Sequence, residues 1–284
     1  MRFGICTTDF SMRPMDALFS RIAGMGYECV QFAFPSVSEC GFVETGSIEI
    51  PPEIPFDLAD AVVNCAEKHG LKIVSINGTF NMAHPDADIR EEGAGRLKNL
   101  IEAAEHMGVP FITICTGSRS RESLWKRDEA NDTQEAWNDT KTTLIPCVRH
   151  AEEHNVSLLI ETEASNTVRT AKKARKMLDE IASPALKIVL DPANLFLPGT
   201  AHTGNVESVL TEAVGLLSDE IVLAHGKDIR EGDGISFCAA GKGIVDFALL
   251  KRLLGDNDVD MVLHGIYDEN DMERALFYMK EKWL

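Results

Sequence analysis

The stretch Lys187–Gly199, KIVLDPANLFLPG, decides the fold. Lys187 and the apolar run Ile188–Leu190 read as a buried strand, which stops on a carboxylate, Asp191, before Pro192-Ala193-Asn194. A carboxylate closing an apolar strand is costly unless something compensates it. The question is whether other strands end the same way.

Working outward, apolar and β-branched segments occur at 3–6, 29–32, 72–76, 111–115, 157–161, 187–191, 220–225 and 260–264. Helical patterns lie between them, at 56–70, 90–108, 167–181, 205–217, 246–254 and 268–282. Asp132 or Thr133 offers an N-cap for a further long helix that runs to about Asn155, with Pro146 expected to kink it. Eight strands alternating with helical segments over 284 residues predict an α/β protein, a (β/α)8 TIM barrel forming a single domain over 1–284. The strands are apolar throughout, as parallel strands covered on both faces should be. A doubly wound sheet would want a Gly-x-Gly-x-x-Gly turn after the first strand, and GICTTDFS at 4–11 is not one.

In a barrel, chemistry sits at the C-terminal ends of the strands. Strand five ends on Glu161, strand six on Asp191, strand seven on His225 and strand eight on His264. Two carboxylates and two imidazoles at one mouth suit a divalent metal, Mn, Zn, Co or Fe more than Ca, with Mg kept among the candidates. Taken singly, each residue has a plainer role. Asp191 before the turn could cap a helix or close an Asx turn, His264 could be a satisfied core histidine, and Glu161 could pair with Arg169. Four such residues on four consecutive strands favour the metal.

Composition narrows the partners. Hydrophobic residues make up 44%, and 28 basic against 45 acidic residues leave a net charge of −17. That charge repels nucleic acid and anionic membranes, so neither is an expected partner. The seven cysteines are scattered without a Cys-x-x-Cys pair, which predicts reduced thiols and a cytoplasmic protein. The segment MRFGICTTDF lacks the pattern of a signal peptide, and no apolar run reaches the length of a membrane span.

The motifs LLIETEASNTV (158–168), VLDPANLFLPG (189–199), LAHGKDI (223–229) followed by GKGIVDF (241–247), and VLHGIYDEN (262–270) resemble the sugar phosphate isomerase/epimerase branch of the xylose isomerase-like TIM-barrel superfamily. NGTFNMAHPD (77–86) and the segment 115–137 are similar to one subgroup of it. The resemblance implies that Glu161, Asp191 and His225 are metal ligands. It also implies a second glutamate on strand eight, ligand and acid/base at once, where this chain has His264. In the epimerases a histidine often follows the strand-six aspartate by three residues, and here Asn194 stands there. The apurinic-site endonucleases of the same superfamily need further histidines after strands three and four. Those strands end near Asn77 and Cys115, which together with the charge of −17 excludes DNA repair.

The loops add candidates. The loop 116–132 carries Arg119, Arg121, Lys126 and Arg127 around Trp125 in an otherwise acidic chain, with Arg119 nearest the strand end and best placed to clamp a phosphate or carboxylate. Its alternative is a solvated loop paired to acids. Asn81 and His84, after strand three, are candidates for substrate hydroxyls, and Glu163 is a candidate second carboxylate. If strand seven continues, Lys227 points the same way as His225, to bind substrate or to pair with Asp191 or Glu161. Trp137 is expected to pack.

The function expected is a metal-dependent isomerase or epimerase of a sugar, polyol or sugar phosphate, with Glu161, Lys227 and His264 moving a proton beside a carbonyl through an enediolate. The alternatives are a metal-assisted keto-polyol dehydratase and a non-catalytic sugar-binding barrel. The partners expected are a small sugar or polyol, phosphorylated and acidic sugars included, with a homo-oligomer left open.

Overall fold

All eight apolar segments form strands in the computed structural model, which describes residues 1–255 and 257–283. They are β1 (Phe3–Cys6), β2 (Cys29–Phe32), β3 (Lys72–Asn77), β4 (Phe111–Cys115), β5 (Ser157–Glu161), β6 (Leu186–Leu190), β7 (Ile221–Ile229) and, after a short strand β8 (Phe237–Ala239), β9 (Asp260–Leu263). β1 to β7 pair in sequence, all parallel; β7 pairs with β9 and β9 with β1, which closes an eight-stranded barrel. Around it stand α1 (Met15–Gly24), α2 (Phe56–Lys68), α3 (Ala87–His106), α4 (Gln134–Glu153), α5 (Ala171–Ile181), α6 (Val206–Leu217), α7 (Phe247–Leu254) and α8 (Glu269–Trp283). The chain is a (β/α)8 barrel, as the alternation predicts. Of the two N-cap candidates, Thr133 caps α4, its hydroxyl accepting from the Ala136 amide at 3.2 Å. The helix runs on through Pro146.

Two apolar layers explain why the strands do not alternate. The larger lies between strands and helices. A second, separate cluster draws Cys6, Cys29, Val74, Leu159, Val189, Leu223 and Val262 from seven different strands, and it fills the barrel interior. Successive side chains on a strand point to opposite faces, so the residue two places further on also points inward, one layer nearer the C-terminal end. From Cys29, Leu159, Val189, Leu223 and Val262 that rule leads to Gln31, Glu161, Asp191, His225 and His264. The polar layer is the next storey of the barrel interior.

Strand seven departs from expectation. It continues past His225 to Ile229, and its last residues pair antiparallel with β8. Fully buried Asp228 organises the return. Its carboxylate accepts from the amides of Ile229, Gly241, Gly243 and Val245 at 2.9–3.0 Å. A Cβ on Gly243 would stand 2.2 Å from the Ile229 carbonyl, so the GKG turn can wrap this carboxylate only with glycine there.

Candidate metal and sugar site

Asp191 answers for both of its sequence readings. One oxygen, Oδ1, accepts from the amides of Ala193 and Asn194 at 2.9 and 3.2 Å, the Asx turn that ends β6. The other, Oδ2, faces into the barrel, fully buried, with Lys227 Nζ 2.9 Å away. His225 Nδ1 lies 3.6 Å from it and 3.4 Å from Glu161 Oε1. One donor atom from each of Glu161, Asp191 and His225 lies within 4.8 Å of the other two, and among the described residues this is the only buried group of its kind.

The tautomer is set from behind. Gln31 Oε1, which also accepts from Ser75 Oγ, lies 3.0 Å from His225 Nε2, so Nε2 donates and a neutral His225 carries its lone pair on Nδ1. The β2–β3 register shifts between Val30 and Gln31, where β3 carries Val74 as an extra residue, and this bulge sets Ser75 opposite Gln31. One imidazole nitrogen and two carboxylate oxygens thus converge. This donor set fits a divalent cation.

Lys227 lies beside the same gap. Its Nζ is 2.9 Å from Asp191 Oδ2 and 3.8 Å from Glu161 Oε1, over the Phe237 ring. Burial opposes its charge, yet Asp191 and then Glu161 hold its ammonium above the ordinary lysine range. Burial likewise opposes the His225 imidazolium, and Glu161 and Asp191 outweigh it, raising that group to about 9. Two carboxylates against two cations make a balanced cluster, and a divalent cation would displace the proton from His225. Asn194 joins the group by donating from Nδ2 to Glu161 Oε1 at 2.6 Å.

Above the cluster opens a cavity of about 480 Å³, lined by Glu161 and Lys227, with Asp191 and His225 beneath them. Glu163 lines it too; Ser165 donates to its carboxylate, and burial, in spite of Lys227, pushes its carboxyl above the ordinary glutamate value. Glu44 and Glu49 add carboxylates from the segment between β2 and α2, and Trp125, Phe237 and Tyr267 supply aromatic faces. Glu49 accepts from Asn77 Nδ2 at 2.9 Å and from Trp125 Nε1 at 3.0 Å, and burial pushes its carboxyl up to about 7.

Other expected residues are placed elsewhere. His264 lines the cavity but stands apart from the three-residue cluster, its Nδ1 3.1 Å from Asp9 Oδ1. β9 ends one residue earlier than expected, and Gly265 turns the chain at φ 73°, where a Cβ would lie 2.9 Å from Lys227 Cδ. Arg119 does not reach the mouth. Its guanidinium is buried against Asp139 (2.7 Å), Glu135 (2.8 Å) and the Ala83 carbonyl, and the basic loop lines a separate cavity that shares no residue with the mouth. Asn81 accepts from the Ser118 amide at 2.9 Å, and His84 Nδ1 accepts from the Asp86 amide at 3.1 Å. Neither lines the mouth, and burial holds the His84 imidazole below its ordinary value. These three brace the loops. Trp137 packs, donating to Glu180, and Arg169 pairs with Asp132 rather than Glu161.

Sequence reading missed Gln31, Asp9 and Glu49. Gln31 had a signal, a polar residue inside the apolar segment CVQF. Glu49 had none, because its partners come from distant parts of the chain, Asn77 from the end of β3 and Trp125 from the loop after β4.

Comparison with known proteins agrees with this architecture. The model of the xylose isomerase-like TIM barrel family matches residues 19–279. Among curated proteins no sequence relative matches. Solved structures superpose over nearly the whole chain. A D-tagatose 3-epimerase-like protein has a TM-score of 0.75 at 15% identity, covering 99% of this chain and 97% of its own. D-psicose 3-epimerase from Clostridium cellulolyticum H10 has a TM-score of 0.71 at 14% identity, covering 100% and 99%. The probable 3-DHS dehydratase AsbF from Bacillus anthracis has a TM-score of 0.73 at 15% identity, covering 99% of each. The barrel is that of a known class, and this chain belongs to the xylose isomerase-like TIM-barrel family.

Among the described residues no helix is long and apolar enough to cross a membrane.

Proposed function

We propose that the protein is a metal-dependent isomerase or epimerase of an uncharged sugar or polyol. The observation that carries this reading is the buried convergence of Glu161, Asp191 and His225 directly beneath an aromatic-lined polar cavity. The likeness in fold to sugar 3-epimerases supports it.

Glu161, Asp191 and His225 would hold the cation, drawn from Mn, Zn, Co, Fe or Mg. When bound, it supplies Lewis-acid polarisation of substrate oxygens. The remaining work falls to the chain. Glu161 Oε1 is held by Asn194, which leaves Oε2, accepting only from the weak donor Cys115 Sγ at 3.9 Å, as the oxygen to take a proton beside a carbonyl. Lys227 keeps its own proton. It serves as a cationic donor that balances the negative charge of an enediolate, not as the base that sequence alone allowed. His264, backed by Asp9, lines the cavity from just past the end of β9 and is the candidate to return a proton on the other side. Asn194 and Glu163 orient substrate or its neighbours.

The mouth also selects charge. Four glutamates line it against Lys227 and His264, and Arg119 is engaged elsewhere, so a phosphorylated or acidic sugar would meet repulsion. Incubating metal-loaded protein in D2O with unphosphorylated ketoses and inososes, read by NMR, tests the reading. An isomer that has lost no water and carries one solvent deuterium at one carbon, with no such product from Glu161→Gln, is the expected result. Turnover confined to sugar phosphates would contradict it.

A dehydratase is the second reading. The raised carboxyl of Glu163 in the same cavity is what favours it, since a protonated carboxyl can protonate a departing hydroxyl. Loss of water from the product would decide for it. Chelator-insensitive sugar binding without turnover would indicate a binding barrel.

A further inference from the structure

A second histidine group lies on the outer wall of the barrel. His150 and His154 stand one turn apart at the C-terminal end of α4, and Glu102 faces them from α3. One donor atom of each lies within 4.8 Å of the other two, His150 Nε2 is 3.2 Å from Glu102 Oε1, and the two imidazole centroids are 4.4 Å apart. Ligand atoms around a four-coordinate ion with bonds of about 2.1 Å sit roughly 3.4 Å apart, so small side-chain rotations close the site.

Its surroundings are those of a metal-ligating imidazole. Glu105 Oε2 lies 2.7 Å from His154 Nδ1, so Nδ1 donates and the lone pair falls on Nε2, the carboxylate–histidine arrangement that orients a ligand. The C-terminal carbonyls of α4 add negative potential at the same end. The contrast with Asp16, Cys65 and His69 is instructive. That group has similar spacing, but Lys68 Nζ sits 2.6 Å from the Asp16 oxygen and already supplies the cation. No lysine or arginine forms an ion pair with Glu102 or Glu105 among the described residues.

We propose that Glu102, His150 and His154 form a divalent-metal site of the zinc class, with Glu105 as the orienting carboxylate, which clamps α3 to α4. Helix C-termini lie where the next strand begins, so this site is on the barrel face opposite the mouth and independent of Glu161, Asp191 and His225. Water completes the coordination. Two imidazoles and a carboxylate favour Zn2+, Ni2+ or Cu2+ over Mg2+ and Ca2+.

Equilibrium dialysis of untagged protein against Zn2+ tests this, comparing wild type with the double variant His150→Gln/His154→Gln. Both keep the mouth cluster, so the difference counts the outer site alone. Wild type is expected to hold one more equivalent at micromolar free Zn2+, and Zn2+ is expected to raise Tm more in wild type than in the variant. Glu105→Gln should weaken that equivalent by about 10-fold or more. Equal zinc in wild type and double variant would overturn the site and would show a metal-free cluster of histidine–glutamate hydrogen bonds. Because the mouth is intact in both proteins, that failure would leave the proposed function untouched.

Discussion

The strand ends and the loop 116–132 make opposite use of charge. At the strand ends Glu161, Asp191, His225 and Lys227 turn inward to one buried point. In the loop, Arg119 turns outward to Asp139 and Glu135, while Asn81 and His84 of the neighbouring loop after β3 serve backbone amides. A strand's period of two fixes where its next polar residue points. A loop has no period, and an arginine there goes to the nearest carboxylates, here those of α4.

The largest expected effect falls on the strand side. Glu161→Gln should reduce turnover by roughly 10²–10⁴-fold with the fold intact, read by steady-state kinetics and circular dichroism. Next comes the charge balance itself. Asp191→Ala leaves Lys227 without its main counter-charge and His225 with Glu161 alone, and should cost about 3–5 kcal/mol in denaturant unfolding, together with the bound cation.

Glu49 gives a pH test. Its carboxyl is raised from 4.5 to about 7 in the fold, so the folded protein binds that proton more tightly than the unfolded chain. The stabilisation is complete below the unfolded value and is lost as pH rises through about 7. The gap corresponds to roughly 3 kcal/mol. Measured across this window, wild type should lose stability relative to Glu49→Gln as pH rises; a constant difference would show that Glu49 stays ionised throughout. The smallest effect sharpens the contrast. Arg119→Ala should cost about 1–3 kcal/mol of stability through its buried partners and leave KM for an uncharged sugar unchanged. A large rise in KM would return Arg119 to the mouth.

What could be read beforehand follows the same division. The alternation of KIVLD, EIVLAH and their counterparts with amphipathic helices carries the barrel, because each strand is apolar on both faces. The metal candidates were legible for the same reason. Asp191 was legible in only one role at a time, and the structure gives each oxygen its own. His264 occupies a strand end yet leans on Asp9, which follows β1 on the far side of the closure, a neighbour only the closed barrel supplies. Glu49 and its partners, Asn77 at the end of β3 and Trp125 in the loop after β4, meet across distant segments, so no local pattern announces them.

The central claim is that the buried strand-end group holds a divalent cation. The direct measurement is the metal content, by elemental mass spectrometry, of untagged, dialysed protein carrying His150→Gln/His154→Gln, so that only the mouth can contribute. About one equivalent of Mn, Zn, Co, Fe or Mg, lost in Asp191→Asn made in the same background, is the predicted result. Protein that carries no metal, and that no divalent cation stabilises against heat, would contradict the claim and leave Lys227 as the cation of the site.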